Sequence, residues 1–234
     1  MITTEVPAEV RDRMVLGLDV GGLAEAEAMA ARLAPWFGVV KVGHELYAEA
    51  GPVAFDRMHE LGFKVFCDLK LHDIPNTVQR AARVHARHGV EFMNAHAAGG
   101  EAMLRAFVAG AREGASEVGA LPPVTLAVTV LTSEPDASAF DERLDAARAA
   151  GCDGVVCSAH EASRPAAVGL RAMVPGIRLA GEDDNDQARI ATPGAAVAAG
   201  ADWIVVARAV TAAPDPEAAA AIAAGEVAAA LAPS

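Results

Sequence analysis

Asp68 and Lys70 stand two residues apart at the end of a short apolar run, residues 64–69, and Asp73 follows in the next turn. Side chains at i and i+2 of a strand share a face, so this spacing predicts a carboxylate and an ammonium emerging side by side. Carboxylates flanking one lysine hold it protonated, because opposite charges favour the charged form. Such a lysine is both a proton donor and an electrostatic clamp. An isolated Asp-x-Lys is more commonly a surface ion pair, so what else the chain brings to the same place matters. Pro75 pre-sets φ for a turn or a first helical residue, and a helical pattern runs from about residue 77 to 88.

The elements that must position this trio recur along the chain. Apolar runs that read as buried strands lie at 14–18, 39–42, 64–69, 92–95, 125–130, 154–157, 171–174 and 203–206. Between them, segments of helical composition lie at 23–33, 52–61, 78–88, 101–113, 139–150, 161–168, 193–199 and 217–230. Strands alternating with helices imply βαβ units and a parallel sheet. Eight such units predict an α/β fold, a single (β/α)8 TIM barrel over residues 1–234, with no composition shift or linker to mark a second domain. An open doubly wound sheet is the other architecture that alternation allows. Polar residues recur at the strand ends: Asp19, Lys41, Asp68 with Lys70, His96, Thr129 with Thr132, Ser158, Arg178 and Arg208. In a barrel these ends ring one mouth, where such folds place their sites.

The totals narrow the class. A hydrophobic content of 53% supports a large core, and an aromatic content of only 4% leaves Ala, Val and Leu to fill it. The net charge of −12 argues against nucleic acid or an anionic membrane as partner. A small phosphate ligand remains compatible, because a local cluster of Lys and Arg overrides the global field at short range. The three cysteines, Cys67, Cys152 and Cys157, form no C-x-x-C and read as buried reduced thiols of a cytoplasmic protein. The first 13 residues carry charges and no apolar signal core, and no apolar run approaches a membrane span.

The stretch Asp68-x-Lys70-x-x-Asp73-Ile74-Pro75-Asn76-Thr77 resembles the signature of the orotidine 5′-phosphate decarboxylases, which make UMP from orotidine monophosphate in pyrimidine biosynthesis. The shorter Asp-x-Lys-x-x-Asp core is shared with hexulose-phosphate synthases and keto-gulonate-phosphate decarboxylases. The Ile-Pro-Asn-Thr tail favours the orotidine enzymes. Leu18-Asp19, Lys41-Val42-Gly43, the segments 96–100, 128–133 and 154–159, Pro175-Gly176-Ile177-Arg178 and Asn185-Asp186-Gln187 extend the likeness over most of the chain. The resemblance implies that Lys70 protonates the substrate, with Asp68, Asp73 and Lys41 in its charge network. Asp19 and Lys41 would hold ribose hydroxyls, and Thr132, beside Ser133, the pyrimidine. Arg178, Gln187, the backbone of Ala207 and Arg208 would bind or flank the phosphate. It further implies a homodimer in which Asp73 and Thr77 reach the partner's site, and it implies no metal or organic cofactor. The family usually reads Val-Val-Gly-Arg after the last strand, where this chain has Val205-Val206-Ala207-Arg208. The N–H of Ala207 would serve a phosphate comfortably only at φ below zero, because a Cβ penalises the left-handed region. A related sugar-phosphate enzyme, or a barrel that binds a sugar phosphate without turning it over, stands as the alternative.

Other patterns carry less. Residues 179–189 form a long, polar, glycine-containing segment that reads either as an exposed acidic loop or as a lid. His85 and His88 are three apart on a helix, as metal ligands can be, but no third ligand is evident. Cys157 and Ser158 are adjacent on a strand and point apart, so they make no dyad with His160. There is no phosphate-binding loop of the G-x-x-x-x-G-K-[ST] type and no G-x-G-x-x-G after a strand.

Overall fold

The computed structural model describes residues 6–134, 136–179 and 191–232. Eight strands pair in parallel in sequence order: β1 (Met14–Gly17), β2 (Val39–Val42), β3 (Lys64–Leu71), β4 (Phe92–His96), β5 (Val124–Val128), β6 (Gly154–Val156), β7 (Arg171–Val174) and β8 (Trp203–Val206). β8 returns to pair with β1, Val206 opposite Leu16, so the sheet is closed and the open doubly wound alternative is ruled out. The helices are α1 (Ala8–Arg11), α2 (Leu23–Leu33), α3 (His44–Ala50), α4 (Val53–Glu60), α5 (Pro75–Ala86), α6 (Gly100–Glu117), α7 (Phe140–Ala150), α8 (Pro193–Ala198), α9 (Arg208–Thr211) and α10 (Pro216–Leu231). Among the described residues no helix is long and apolar enough to cross a membrane.

Strand parity sorts the apolar residues into two cores. Val15, Val39, Phe66, Phe92, Leu126, Val156, Met173 and Val205 pack together inside the barrel. Their neighbours along the strands, among them Leu16, Val40, Val65, Met93, Val155 and Ile204, pack with the helices. Phenylalanine shares the work expected of Ala, Val and Leu alone: Phe37, Phe55, Phe66, Phe107 and Phe140 are fully buried. α5 and α6 approach unusually closely. A Cβ on Gly110 or Gly114 would fall 2.1 Å from the carbonyl oxygen of Gln79 or Arg83, a distance no side chain tolerates.

The four-residue helices α1 and α9 are too short to show a period, and two longer segments also depart from the sequence expectation. α3 is unheralded because it spans only seven residues and buries only Leu46, too little for a period to show; it stops at Gly51, which takes φ +60. The helix expected at 161–168 does not form. Pro165 has no N–H to give Glu161 and would clash within the preceding turn, so the chain makes turns and a short 3-10 helix, Pro165–Val168. All three cysteines are buried, and none is joined to another in a disulfide. Burial pushes the Cys152 thiol up to about 12 and raises Cys67 as well, so both stay protonated.

Candidate active site

The parity that places Val15, Val39, Phe66 and Phe92 inside the barrel continues two residues further along each strand. The next inward positions are Gly17, Lys41, Asp68 and Asn94, and the apolar core gives way there to a polar layer. Lys41 Nζ donates to Asp19 Oδ1 at 2.9 Å and lies 3.3 Å from Asp68 Oδ2. Lys70 Nζ donates to the other oxygen, Asp68 Oδ1, at 2.7 Å. The result is a continuous chain of alternating charge, Asp19–Lys41–Asp68–Lys70, contributed by the ends of three adjacent strands. Gly43 leaves room for it, since a Cβ there would lie 2.8 Å from Lys41 Nζ.

The electrostatics follow from this geometry. Burial by itself pushes the Asp68 carboxyl up, but Lys41 and Lys70, with hydrogen bonds from Lys70 and Asn94, outweigh it and hold the group below the usual carboxylate range. Burial by itself lowers Lys41, but Asp68 and Asp19 outweigh it and hold the ammonium above its ordinary value. Asp68 therefore contributes stability above its unfolded value that is lost as pH falls through its folded one. Lys41 contributes stability below its unfolded value that is lost as pH rises through its folded one. At neutral pH both groups are charged and fixed.

Asp68 and Lys70 meet, but not as residues on one face of a regular strand. Cys67 pairs with Met93 and Leu71 with Ala95, so residues 68, 69 and 70 of β3 stand against residue 94 alone in β4. The strand bulges, and Lys70 takes φ +49, the only positive φ at a non-glycine among the described residues. Bulges of this kind re-aim a side chain next to a site. The residue opposite, Asn94, is 1% exposed. Its Nδ2 donates to Asp68 Oδ1 at 2.6 Å, and its Oδ1 accepts from the Lys70 N–H at 2.7 Å. Sequence reading passed over Asn94. The signal available was parity: a lone amide two residues after Phe92, on the face that carries Lys41 and Asp68.

The same cavity is lined on its far side by Thr132, Arg178, Ala207 and Arg208. Arg178 is nearly buried; its Nη1 donates to the Ile177 carbonyl at 3.1 Å, and its Nη2 is buried with no hydrogen-bond partner among the described residues. A buried cationic donor facing a cavity is suited to an anion. Ala207 has φ −121, so its methyl meets no left-handed penalty. Gln187 and all but the first residue of the 179–189 segment lie outside the described residues. Their flanks are tied together, Ile177 bridging to Ala191. Three strand-end residues expected at the mouth do not line the cavity. Thr129 Oγ1 donates to the Val156 carbonyl, Ser158 Oγ pairs with Glu161, and His96 stacks obliquely on His72 with ring centroids 5.5 Å apart. Ser158 and Thr129 thus close the backbone after β5 and β6. The His85 ring packs against Tyr47 and Phe55, and His88 pairs with Asp56 at 3.2 Å. Among the described residues no group of three or more His, Cys, Asp or Glu is placed to hold a metal ion.

The pattern of the orotidine 5′-phosphate decarboxylase / HUMPS family matches residues 12–223. The chain belongs to this family. It is 45% identical to the orotidine 5′-phosphate decarboxylase of Moorella thermoacetica, over 93% of this chain and 92% of the relative. It is 49% identical to that of Halorhodospira halophila, over 93% and 97%. Enzymes of that name are carboxy-lyases. The crystal structure of orotidine 5′-phosphate decarboxylase from Lactobacillus acidophilus superposes with a TM-score of 0.75 at 33% identity, covering 92% of this chain and 99% of that one. In this decarboxylase-family barrel the remaining signature residues are exposed and do not line the cavity of their own chain. Asp73 is exposed and its Oδ1 accepts from the Ile74 N–H at 2.6 Å. Ile74 is 66% exposed, and Thr77 is exposed on the first turn of α5.

Proposed function

We propose that the protein decarboxylates orotidine 5′-phosphate to UMP in pyrimidine biosynthesis, with Lys70 as the proton donor. The observation that carries this reading is the alternating chain Asp19–Lys41–Asp68–Lys70 set opposite Arg178 and Arg208 in one cavity. Family membership and the names of the relatives support the substrate. Breaking the bond between C6 and the carboxylate releases CO2 and leaves an electron pair in the plane of the ring. That pair cannot delocalise into the ring carbonyls, so the site must meet localised negative charge with a preorganised cation. The Lys70 ammonium supplies it and gives its proton to C6; solvent then reprotonates the amine. Asp68 and Lys41 hold that ammonium in place. Arg178 and Arg208, with Gln187 and the N–H of Ala207, take the phosphate, and Asp19, Lys41 and Thr132 take the ribose and pyrimidine. Phosphate binding far from C6 supplies free energy for orienting the base.

The reading requires no metal or organic cofactor. Both oxygens of Asp68 are engaged by lysines at 2.7 and 3.3 Å, which disfavours the metal-dependent aldolase alternative, since a divalent ion would have to displace a cation already there. The exposed turn at Asp73–Thr77, with Ile74 turned to solvent, supports a homodimer whose partners exchange Asp73 and Thr77 between sites. The purified protein should consume orotidine monophosphate, followed by loss of its absorbance, and should do so after exhaustive chelation. No turnover, or activity lost with EDTA and restored by Mg²⁺, would move the chain to the aldolase side of its family.

A further inference from the structure

We infer that Asn94 is a positioning residue for the proton donor: it holds Lys70 in its left-handed backbone conformation and Asp68 in register with it. This rests on the reading that Lys70 and Asp68 carry the chemistry. A bulge that sets residues 68–70 against Asn94 alone leaves the Lys70 N–H without a strand partner. A buried N–H without an acceptor is costly, and a non-glycine residue at φ +49 is held only when its surroundings over-determine it. Asn94 Oδ1 is the acceptor that does so, at 2.7 Å. The opposite end of the same amide donates to Asp68 Oδ1, at 2.6 Å, the oxygen that also receives Lys70 Nζ. One planar group therefore sets the donor's backbone and its counter-ion together, and the rigid amide fixes the distance between them.

The chemistry requires a side chain that both donates and accepts. The carboxylate needs a donor and the backbone N–H needs an acceptor, so the amide has a single orientation. Aspartate would keep the acceptor for Lys70 and lose the donor for Asp68, setting two carboxylates side by side. Leucine or alanine would lose both. The charged groups that face Asp68 are Lys41 from β2 and Lys70 from β3, with Asp19 behind Lys41 and His72 and His96 flanking Lys70.

Asn94→Ala and Asn94→Asp test this. A misplacement of about 1 Å at a reacting group lowers turnover about a hundredfold, so Asn94→Ala should lose about that factor in kcat while KM stays within about threefold. Asn94→Asp, which keeps the Lys70 acceptor and so guards against failure to fold, should move the acid limb of the kcat profile to higher pH, because neighbouring carboxylates resist joint ionisation. Crystal structures of both variants give a readout independent of activity: Lys70 should leave the positive-φ region in Asn94→Ala and keep it in Asn94→Asp. If wild type fails to turn over orotidine monophosphate, the functional reading falls while the crystal structures still decide the positioning role. Lys70 keeping its conformation in Asn94→Ala, or kcat and KM changing together in an active enzyme, would overturn the inference.

Discussion

Replacing Gly17 by alanine should damage the protein, and replacing Ala207 by glycine in the same chain should repair it. An ideal Cβ on Gly17 lies 2.7 Å from Ala207 Cβ, 3.4 Å from its Cα and 3.3 Å from Lys41 Cε. Unbonded carbons rest at about 3.5–4.0 Å, so two methyls here overlap by about 1 Å. Neither strand can move aside freely, since β1 and β8 are paired one residue earlier, Leu16 to Val206. Overpacking of this kind costs about 1–3 kcal/mol. For a chain of this size, each kcal/mol lowers Tm by about 2–4 °C. Ala207→Gly alone should cost about 0.5–1 kcal/mol through a more flexible unfolded chain. The double variant carries a single methyl in the same space, so a coupling of about 1–3 kcal/mol in its favour is expected. Urea unfolding with a constant m-value measures all three, and KM for orotidine monophosphate tests whether the corner that holds Ala207 and Lys41 was displaced with them. Gly17→Ala as stable as wild type, or strictly additive losses in the double variant, would refute the argument. The pairing also accounts for how the chain carries a methyl at position 207: the space is supplied from the neighbouring strand, at Gly17.

Three further outcomes follow from the geometry. Lys70→Ala and Asp73→Ala should each be nearly inactive, yet refolding an equal mixture should make about half the dimers mixed and leave roughly a quarter of all sites native, given two-fold symmetry; no recovery despite proven subunit exchange would place Asp73 in its own chain's site. Arg208→Ala should raise KM strongly on orotidine monophosphate, since a charge-assisted contact to the phosphate is lost, but should match wild type on orotidine without its phosphate; impairment on that truncated substrate would give Arg208 another role. Burial, aided by the charge of His88, holds His85 below its ordinary value, so its contribution to stability is complete above about pH 6.5 and lost as pH falls through the folded value; His85→Phe should therefore flatten the loss of urea resistance between pH 7.5 and 5.5, and an unchanged slope would show that His85 titrates normally.

Short continuous apolar runs separated by helical stretches made the barrel legible from sequence, because in a parallel sheet covered by helices every strand must be buried on both faces. Lys70 and Asp68 were legible for the same reason: charges at the end of an apolar strand stop it where a barrel opens. Other features depended on the folded chain. Lys41 reaches Asp68 only because β2 and β3 are neighbours in register, Lys41 opposite Phe66, and registry between strands separated by a helix is set by closing the barrel. The bulge in β3 is a mismatch between two strands, so neither strand's own sequence announces it, and without it Asn94 has no visible task. The fit of Ala207 into the space at Gly17 joins the first strand to the last, 190 residues apart along the chain. Local pattern decided which residues face inward, because alternation is a property of one strand; closure of the sheet decided which of them touch, because contact is a property of two.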